Sequence, residues 1–226
     1  MSQTYLAYDL GASSGRAVAG TFDGSKVTLE EIHRFTNGGV TVGAGLYWDA
    51  LRLFNEMLTG LRKCVKSNGP DLMGIGIDTW GVDFALLDEN EELLGNPRCY
   101  RDPRVNGMMD KAFARVPKEE IFAETGLQFM EFNTLFQLYA MTLEDAPQLQ
   151  IAKTFLMMPD LFNFWLTGQM VCEFSDATTT QFYNPKTRGW ATDLLDRLDI
   201  PTEMLSEIVP SGTSLGPVLP SLAEEA

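Results

Sequence analysis

The stretch that decides the fold is "LAYDLGASSGRAVAGTF", residues 6–22. Two runs of apolar and small residues, 5–10 and 15–22, flank a cluster of glycine, alanine and serine. Runs of this kind around a short glycine turn predict two antiparallel strands, which form a β-hairpin. Such turns also expose backbone N–H groups, and these donors bind phosphates in several kinds of protein. We therefore asked which phosphate site the stretch resembles.

Two common phosphate loops do not fit. A P-loop requires G-x-x-x-x-G-K-[ST] followed by a helix, whereas Gly15 is followed by Arg16 and the strand-like run "AVAGTF". A Rossmann fingerprint also requires a helix after its glycines, so that the helix N-terminus faces the pyrophosphate. The third kind of site is a β-hairpin whose turn binds terminal phosphate oxygens. It fits, and the hydroxyl groups of Ser13 and Ser14 supply further donors.

The residues around the turn suit that role. Gly11 and Gly15 permit positive φ and close approach of the backbone to a ligand. Asp9, at the end of the first strand, is placed to orient a Mg²⁺ ion through water. We interpret the hairpin as a site for the γ-phosphate of a nucleotide. From these residues alone, a glycine–serine turn without a ligand is the alternative.

The segments that follow predict a mixed sheet. A third strand, 27–35, follows the tight turn Asp23-Gly24-Ser25. An amphipathic helix begins at the N-cap Asp49 and ends at Asn68-Gly69-Pro70. The run 72–78 predicts a buried strand, and the order βββαβ favours a sheet covered by helices. Further helices are predicted at 104–115, 117–125, 134–144, 147–154, 159–166 and 190–197.

Composition excludes several classes of function. The chain has 226 residues, with 31 acidic side chains against 17 basic ones and a net charge of −14. This charge disfavours nucleic acid as a partner. No apolar run approaches the roughly 18 residues of a membrane span, and the start lacks the pattern of a signal peptide. Three widely spaced cysteines are typical of a reduced, cytoplasmic protein. The single histidine, His33, lies in a predicted strand.

A second group of residues suits a polyhydroxylated sugar. The segment "GIGIDTWGVDF", 74–84, combines polar side chains with one large aromatic ring, Trp80. Sugar hydroxyls require paired donors and acceptors, while the C–H face requires an apolar surface. The segment "CYRDPR", 99–104, adds an aromatic ring and further charges. For this turn, a surface cluster of salt bridges is the alternative.

Together these motifs resemble the FGGY carbohydrate kinases, and the resemblance runs from residue 6 to about 190. "DTWGVDF" is its most specific part, because many relatives carry a segment with glutamine there. The motifs that carry it are "DLGASSGR" (9–16), "EIHRFTNG" (31–38), "IGIDTWGVDFALLD" (75–88), "YRDPRVNGMM" (100–109), "FNTLFQLYAM" (132–141), "LMMPDLFNFWLTG" (156–168) and "ATTTQ" (177–181).

The resemblance implies an N-terminal domain, residues 1–226, with an α/β fold of the actin-like ATPase (ribonuclease H-like) class. It implies a second domain, not contained in these residues, that carries the adenine pocket and a His-Asp-Thr segment. In the family, the Asp of that segment accepts the proton of the sugar hydroxyl. No His-Asp-Thr occurs here, so no catalytic residue is expected in this chain, and the chain alone is expected to be inactive.

The resemblance also implies an activity and site residues. The activity is transfer of the γ-phosphoryl group of Mg²⁺-ATP to the 1-hydroxyl of a small ketose, L-rhamnulose. The implied contacts are Asp9 with the metal, Gly81, Asp83 and Arg101 with the sugar, and Ala12, Ser13, Ser14, Gly15 and Arg16 with ATP. Another FGGY kinase, for xylulose, fuculose or glycerol, is one alternative. A non-catalytic actin-like module that binds nucleotide is the other.

Overall fold

The first three strands form an antiparallel meander. A computed structural model describes residues 2–225 of the chain. It contains β1 (Gln3–Leu10), β2 (Ser14–Phe22) and β3 (Val27–Thr36). β1 pairs with β2 and β2 pairs with β3, which confirms the predicted hairpin and third strand. Asp23 accepts backbone N–H groups in the turn between β2 and β3, as its short side chain favours.

A helix and a parallel strand complete the main sheet. After the small hairpin of β4 (Val40–Val42) and β5 (Gly45–Tyr47), α1 runs over Ala50–Asn68. Asp49 caps it by accepting the N–H of Arg52, and Gly69 ends it at φ 87°, both as predicted. β6 (Leu72–Thr79) then pairs in parallel with β1. The strand order β3-β2-β1-β6 confirms the predicted mixed sheet.

β6 is less buried than predicted. It forms an edge of the four-stranded sheet in the described residues, and the Met73 side chain is 57% exposed. A groove of about 720 Å³ runs along this strand. Apolar residues alternate with Gly74 and Gly76, so the strand has little side-chain volume to pack on its second face. An apolar run alone does not distinguish an edge strand from a central one.

The remaining chain is mainly helical, as predicted. Two predicted helices differ from the structure. The helix predicted at 147–154 ends at Ile151, and a strand begins at Thr154. The helix predicted at 104–115 is interrupted, and its α-helical part begins only at Met108. Two short 3₁₀ helices lie at Pro103–Val105 and Thr178–Thr180. The other elements are β7 (Phe84–Leu87), α2 (Met108–Arg115), α3 (Lys118–Thr125), α4 (Thr134–Leu143), α5 (Pro147–Ile151), β8 (Thr154–Met157), α6 (Met158–Thr167), β9 (Cys172–Glu173), α7 (Phe174–Ala177), β10 (Tyr183–Asn184), β11 (Gly189–Trp190), α8 (Thr192–Arg197), β12 (Ile208–Val209) and α9 (Pro220–Glu225).

The antiparallel pair β7–β8 separates two hydrophobic cores. Phe84 and Phe155 face the core built with α2, α4 and α8, and their rings stack at 5.0 Å between centroids. Ala85 and Leu156 face the other core, between the main sheet, α1 and α6. Successive side chains of a strand point to opposite faces, so a ribbon buried on both faces needs a continuous apolar run. The sequence analysis predicted no strand at β8, because a short continuous apolar run does not distinguish a strand from a helix.

Cys64, Cys99 and Cys172 are buried, and none forms a disulfide. Within residues 2–225, no helix combines the length and the apolar character needed to cross a membrane.

Candidate functional site

The two predicted ligand-binding segments meet at one edge of the sheet. β1 and β6 run in parallel, with Asp9 beside Asp78 and Leu10 beside Thr79. The turn after β1, residues 11–14, is called the hairpin turn below. Because parallel strands end at the same edge, the hairpin turn lies next to the segment 79–83 that follows β6. Ligands bind at such carboxyl-terminal edges in open α/β sheets.

The hairpin turn presents donors without protein partners. Gly11 N–H donates to Ser14 O at 2.9 Å and closes the turn. Among the described residues, no acceptor receives the N–H groups of Ala12 and Ser13 or the hydroxyls of Ser13 and Ser14. Asn37 supports the turn from the loop after β3: its side-chain amide donates to Gly11 O at 2.8 Å and its N–H to Ser13 O at 3.0 Å. Exposed donors of this kind bind anions.

The glycines of the hairpin serve packing rather than unusual backbone angles. Neither Gly11 nor Gly15 has positive φ, so the hairpin does not use the conformational freedom that these glycines permit. A Cβ at Gly15 would lie 2.4 Å from the ring of Phe35, and one at Gly11 would lie 3.2 Å from Ser14 O. For Gly15, the group that lies against the backbone is the Phe35 ring of β3.

The residue expected to organise a metal forms an ion pair across the hairpin. Asp9 stands opposite Arg16 in the β1–β2 register, and Arg16 Nη2 donates to Asp9 Oδ2 at 2.5 Å. Both side chains are about half exposed. Burial together with the charge of Asp9 raises the pKa of Asp78. These two carboxylates supply oxygen ligands of the kind Mg²⁺ prefers, so the residues fit an ion held through water and phosphate oxygens.

Gly81 lies where a helix approaches the strand end. A Cβ there would lie 3.0 Å from Thr179 Cγ2 and 3.2 Å from Asp176 Oδ1. The next residue, Val82, has φ 70°, a strained conformation for a β-branched side chain. Val82 N–H donates to Thr179 Oγ1 at 3.0 Å, and Val82 O accepts from Thr134 Oγ1 at 2.7 Å. Such strain is typical of functional sites.

Asp83 is the centre of a buried network, which we call the carboxylate hub. The residue is 0% exposed. Its Oδ2 accepts from Trp48 Nε1 at 2.5 Å, Trp80 Nε1 at 2.9 Å and the N–H of Tyr100 at 3.1 Å. Its Oδ1 accepts from Gln137 Nε2 at 2.9 Å. Burial raises its pKa to about 6, although the four hydrogen bonds pull the pKa down.

The turn 99–104 divides into a buried and an exposed part. Asp102 is 1% exposed and accepts from Leu46 N–H, Arg104 N–H and Arg98. It therefore ties the turn to β5, and its ion pair with Arg98 is formed by a buried carboxylate rather than within an exposed cluster. Arg101 is exposed, and its guanidinium lies 5.1 Å from the centroid of the Tyr100 ring.

A cavity of about 400 Å³ opens beside Gly81. Its wall includes the strand end at Asp78 and the acidic residues Glu173 and Asp176. Burial raises the pKa of Asp176 to about 8, and the charges of Asp160 and Glu173 raise it further. Burial also raises the pKa of nearby Asp160 to about 7, with a smaller contribution from the charge of Glu173. Within the described chain, one oxygen of Asp160 and one of Asp176 have no hydrogen-bond partner. Asp160, Glu173 and Asp176 are called the acidic wall below.

Several of these residues were missed by the analysis of the sequence. Asn37, Trp48, Gln137 and Asp176 reach the site from loops and helices remote in sequence. Asn37 and Gln137 lie inside motifs that carried the family resemblance, and that was the one available signal. Nothing in the local sequence marks Trp48 or Asp176 as a site residue, and only tertiary contacts bring them to the site.

Comparison with known proteins gives a family and relatives. The FGGY family of carbohydrate kinases, N-terminal domain, matches residues 4–226. Curated relatives include the rhamnulokinase of Oceanobacillus iheyensis, 44% identical over 225 residues, and that of Mannheimia succiniciproducens, 46% identical over 212 residues. The matches cover 100% and 93% of this chain but 48% and 44% of those proteins. The chain thus spans about half the length of the curated relatives it matches.

Solved structures share the fold. A gluconate kinase from Lactobacillus acidophilus has a TM-score of 0.89 at 18% identity, with 100% of this chain and 45% of that chain covered. Plasmodium falciparum glycerol kinase with ADP has a TM-score of 0.81 at 16% identity, with 99% and 46% covered. These similarities confirm the actin-like ATPase fold that the sequence resemblance implied.

Proposed function

The chain belongs to the FGGY family of carbohydrate kinases, and from that premise we propose that it is the N-terminal part of a rhamnulokinase. The proposed reaction transfers the γ-phosphoryl group of ATP to the 1-hydroxyl of L-rhamnulose. Identity of 44% and 46% to rhamnulokinases over nearly the whole chain supports this substrate. The proposed second domain, outside these residues, supplies the adenine pocket and the Asp that accepts the hydroxyl proton. We propose that the protein is cytoplasmic.

One observation carries the proposal: unpartnered donors of the hairpin turn lie beside the cavity at Gly81, at one edge of the sheet. The N–H groups of Ala12 and Ser13 and the hydroxyls of Ser13 and Ser14 would bind the terminal phosphates, with Gly15 and Arg16 completing the strand that holds them. Phosphoryl transfer depends mainly on positioning and charge neutralisation. A site with phosphate donors next to a sugar cavity suits that chemistry.

Asp9 and Asp78 would hold Mg²⁺ through water, and the ion would neutralise charge on the β- and γ-phosphates. Arg16, which pairs with Asp9, keeps the Asp9 carboxylate in place at the strand end. Gly81 would contact the sugar because its missing side chain leaves the cavity open. Arg101 is exposed above Tyr100, where it would meet sugar hydroxyls.

The test is a panel of acceptors with the full-length protein. ADP release is measured with L-rhamnulose, xylulose, fuculose and glycerol, and L-rhamnulose is expected to give the highest kcat/KM. The 226-residue chain alone should release no ADP, because orientation worth about 7–11 kcal/mol requires both substrates held together. A higher kcat/KM with another sugar would assign a different FGGY kinase. ATP binding without phosphorylation of any acceptor would favour a non-catalytic module.

A further inference from the structure

We infer that Asp83 is a positioning residue that sets sugar specificity through the two tryptophans it binds. In this inference the carboxylate hub holds Trp48, Trp80 and Tyr100 as one rigid wall, and the wall accepts the methyl end of a deoxy-ketose. The inference rests on the proposed function, because it assigns this wall to the sugar site.

The contacts of Asp83 rule out a direct role in sugar binding. The side chain is fully buried, and its two oxygens accept four hydrogen bonds from three segments of the chain besides its own. A buried carboxylate with all its partners supplied by the protein has no capacity left for a ligand hydroxyl. Its effect on the sugar must therefore pass through the groups it holds.

The hub fixes the direction of both indole rings. Each ring points its N–H at Asp83, so the hydrocarbon edge of each ring points away from the carboxylate. The Trp48 and Trp80 rings pack at 4.1 Å between centroids. Trp48 is 2% exposed, whereas Trp80 and Tyr100 are partly exposed. Trp48 therefore lies behind the wall, and Trp80 and Tyr100 form its accessible surface.

Neighbouring rings extend this wall. Tyr100, whose N–H is bound by Asp83, packs edge to face on Phe132 at 5.5 Å. An indole ring with its N–H turned inward, as in Trp80, presents hydrocarbon to a ligand. Such a surface favours a methyl group over a hydroxymethyl group, since the added hydroxyl would lose water without gaining a partner. L-rhamnulose differs from L-fructose by this one hydroxyl.

The experiment compares the two sugars in the full-length protein. The wild-type ratio of kcat/KM for L-rhamnulose over L-fructose is expected to be roughly 10–100, the range of one small group in an apolar pocket. Asp83→Ala should lower this ratio about tenfold and leave the KM for ATP within about twofold. It should also abolish the exciton couplet of the packed indole pair in circular dichroism. Asp83→Asn, whose amide oxygen still accepts indole N–H groups, should restore the couplet and most of the ratio.

Asp102→Asn is the matched control, because Asp102 is equally buried but accepts no indole N–H. If Asp83→Ala does not fold, Trp48→Phe tests the sugar ratio alone, because it removes one indole of the pair and the couplet with it. It takes away the ring behind Trp80 and Tyr100, and the ratio is still expected to fall. Loss of the couplet with an unchanged ratio, or a changed ratio with an intact couplet, would overturn the inference. If the wild type phosphorylates neither sugar while the couplet responds as expected, the proposed function fails and the positioning role of Asp83 is retained.

Discussion

The hairpin turn and the carboxylate hub lie at the same edge of the sheet but differ in how far the protein satisfies its own polar groups. In the turn, N–H groups and hydroxyls of residues 12–14 have no acceptor within the described chain. In the hub, every contact of Asp83 is supplied by the protein. The difference indicates that the turn is suited to binding and the hub to holding its neighbours in place. A charged ligand brings its own acceptors to the turn, whereas the hub must be complete before any ligand arrives.

The largest expected effect follows from removing the hub. Asp83→Ala leaves the indole N–H groups of Trp48 and Trp80 and the N–H of Tyr100 buried without acceptors. At about 1–3 kcal/mol for each buried group, we expect the free energy of unfolding to fall by about 3–5 kcal/mol in urea unfolding. Ser13→Ala in the hairpin turn should change it by less than about 0.5 kcal/mol. An equal fall in the free energy of unfolding in both variants would contradict the difference we describe between the hub and the hairpin turn.

The acidic wall beside the hub gives the next effect, which depends on pH. Burial raises the pKa values of Asp160 and Asp176 to about 7 and about 8 from the usual 3.8. The folded state therefore holds protons that the unfolded state has released, so stability is greatest at low pH and falls as pH rises through 7 and 8. We expect a loss of about 2–4 kcal/mol between pH 6 and pH 9.

Asp176→Asn is the control for this pH effect, because the amide carries no charge at any of these values. Thermal unfolding of the variant should show a much smaller decline from pH 6 to pH 9. An identical decline in both proteins would assign the pH dependence to other groups.

At the hairpin turn, Asp9→Asn should affect turnover more than stability. The change removes the charge that orients the ion while the amide oxygen still accepts from Arg16. We expect kcat of the full-length protein to fall by roughly 10–100-fold, the usual cost of losing a metal-orienting partner. Glu31→Gln, in the exposed ion pair with Arg34 on β3, is the matched control and should leave kcat unchanged. A comparable fall in kcat for Glu31→Gln would show that the loss in Asp9→Asn comes from the change in surface charge and not from the metal site.

The smallest expected effect tests the packing behind the turn. In Gly15→Ala the new Cβ meets the far edge of the Phe35 ring at 2.4–2.5 Å, and the ring must shift. Strain of this kind costs about 1–2 kcal/mol. Phe35→Leu in the same chain should recover part of the loss of thermal stability. If Gly15→Ala is as stable as the wild type, the glycine has another purpose.

Local patterns of the sequence predicted the main sheet and the site's position. The alternation of β1 and β2 and the period of α1 are properties of neighbouring residues, and each agrees with the structure. No strand was predicted at β8, and β6 is more exposed than predicted, because a continuous apolar run does not reveal how many of its faces are covered. Those outcomes depend on tertiary partners.

The site shows the same limit. The turn and Gly81 are prominent in the sequence because glycine and serine clusters are informative by themselves. The partners of Asp83 come from positions 48, 80, 100 and 137, and no local pattern connects them. A contact between distant segments becomes visible only when the chain is folded.

The two hydrogen bonds from Asn37 to the hairpin turn determine which polar groups of the turn a ligand can reach. Asn37 and the closing bond of the turn occupy the carbonyl oxygens of Gly11, Ser13 and Ser14, so these three acceptors are already engaged by the protein. On a chain of net charge −14, the turn therefore offers a ligand donors rather than acceptors. A cation at this edge of the sheet would have to be held by the carboxylates of Asp9 and Asp78, which lie near the ends of the two neighbouring strands, and not by the turn itself.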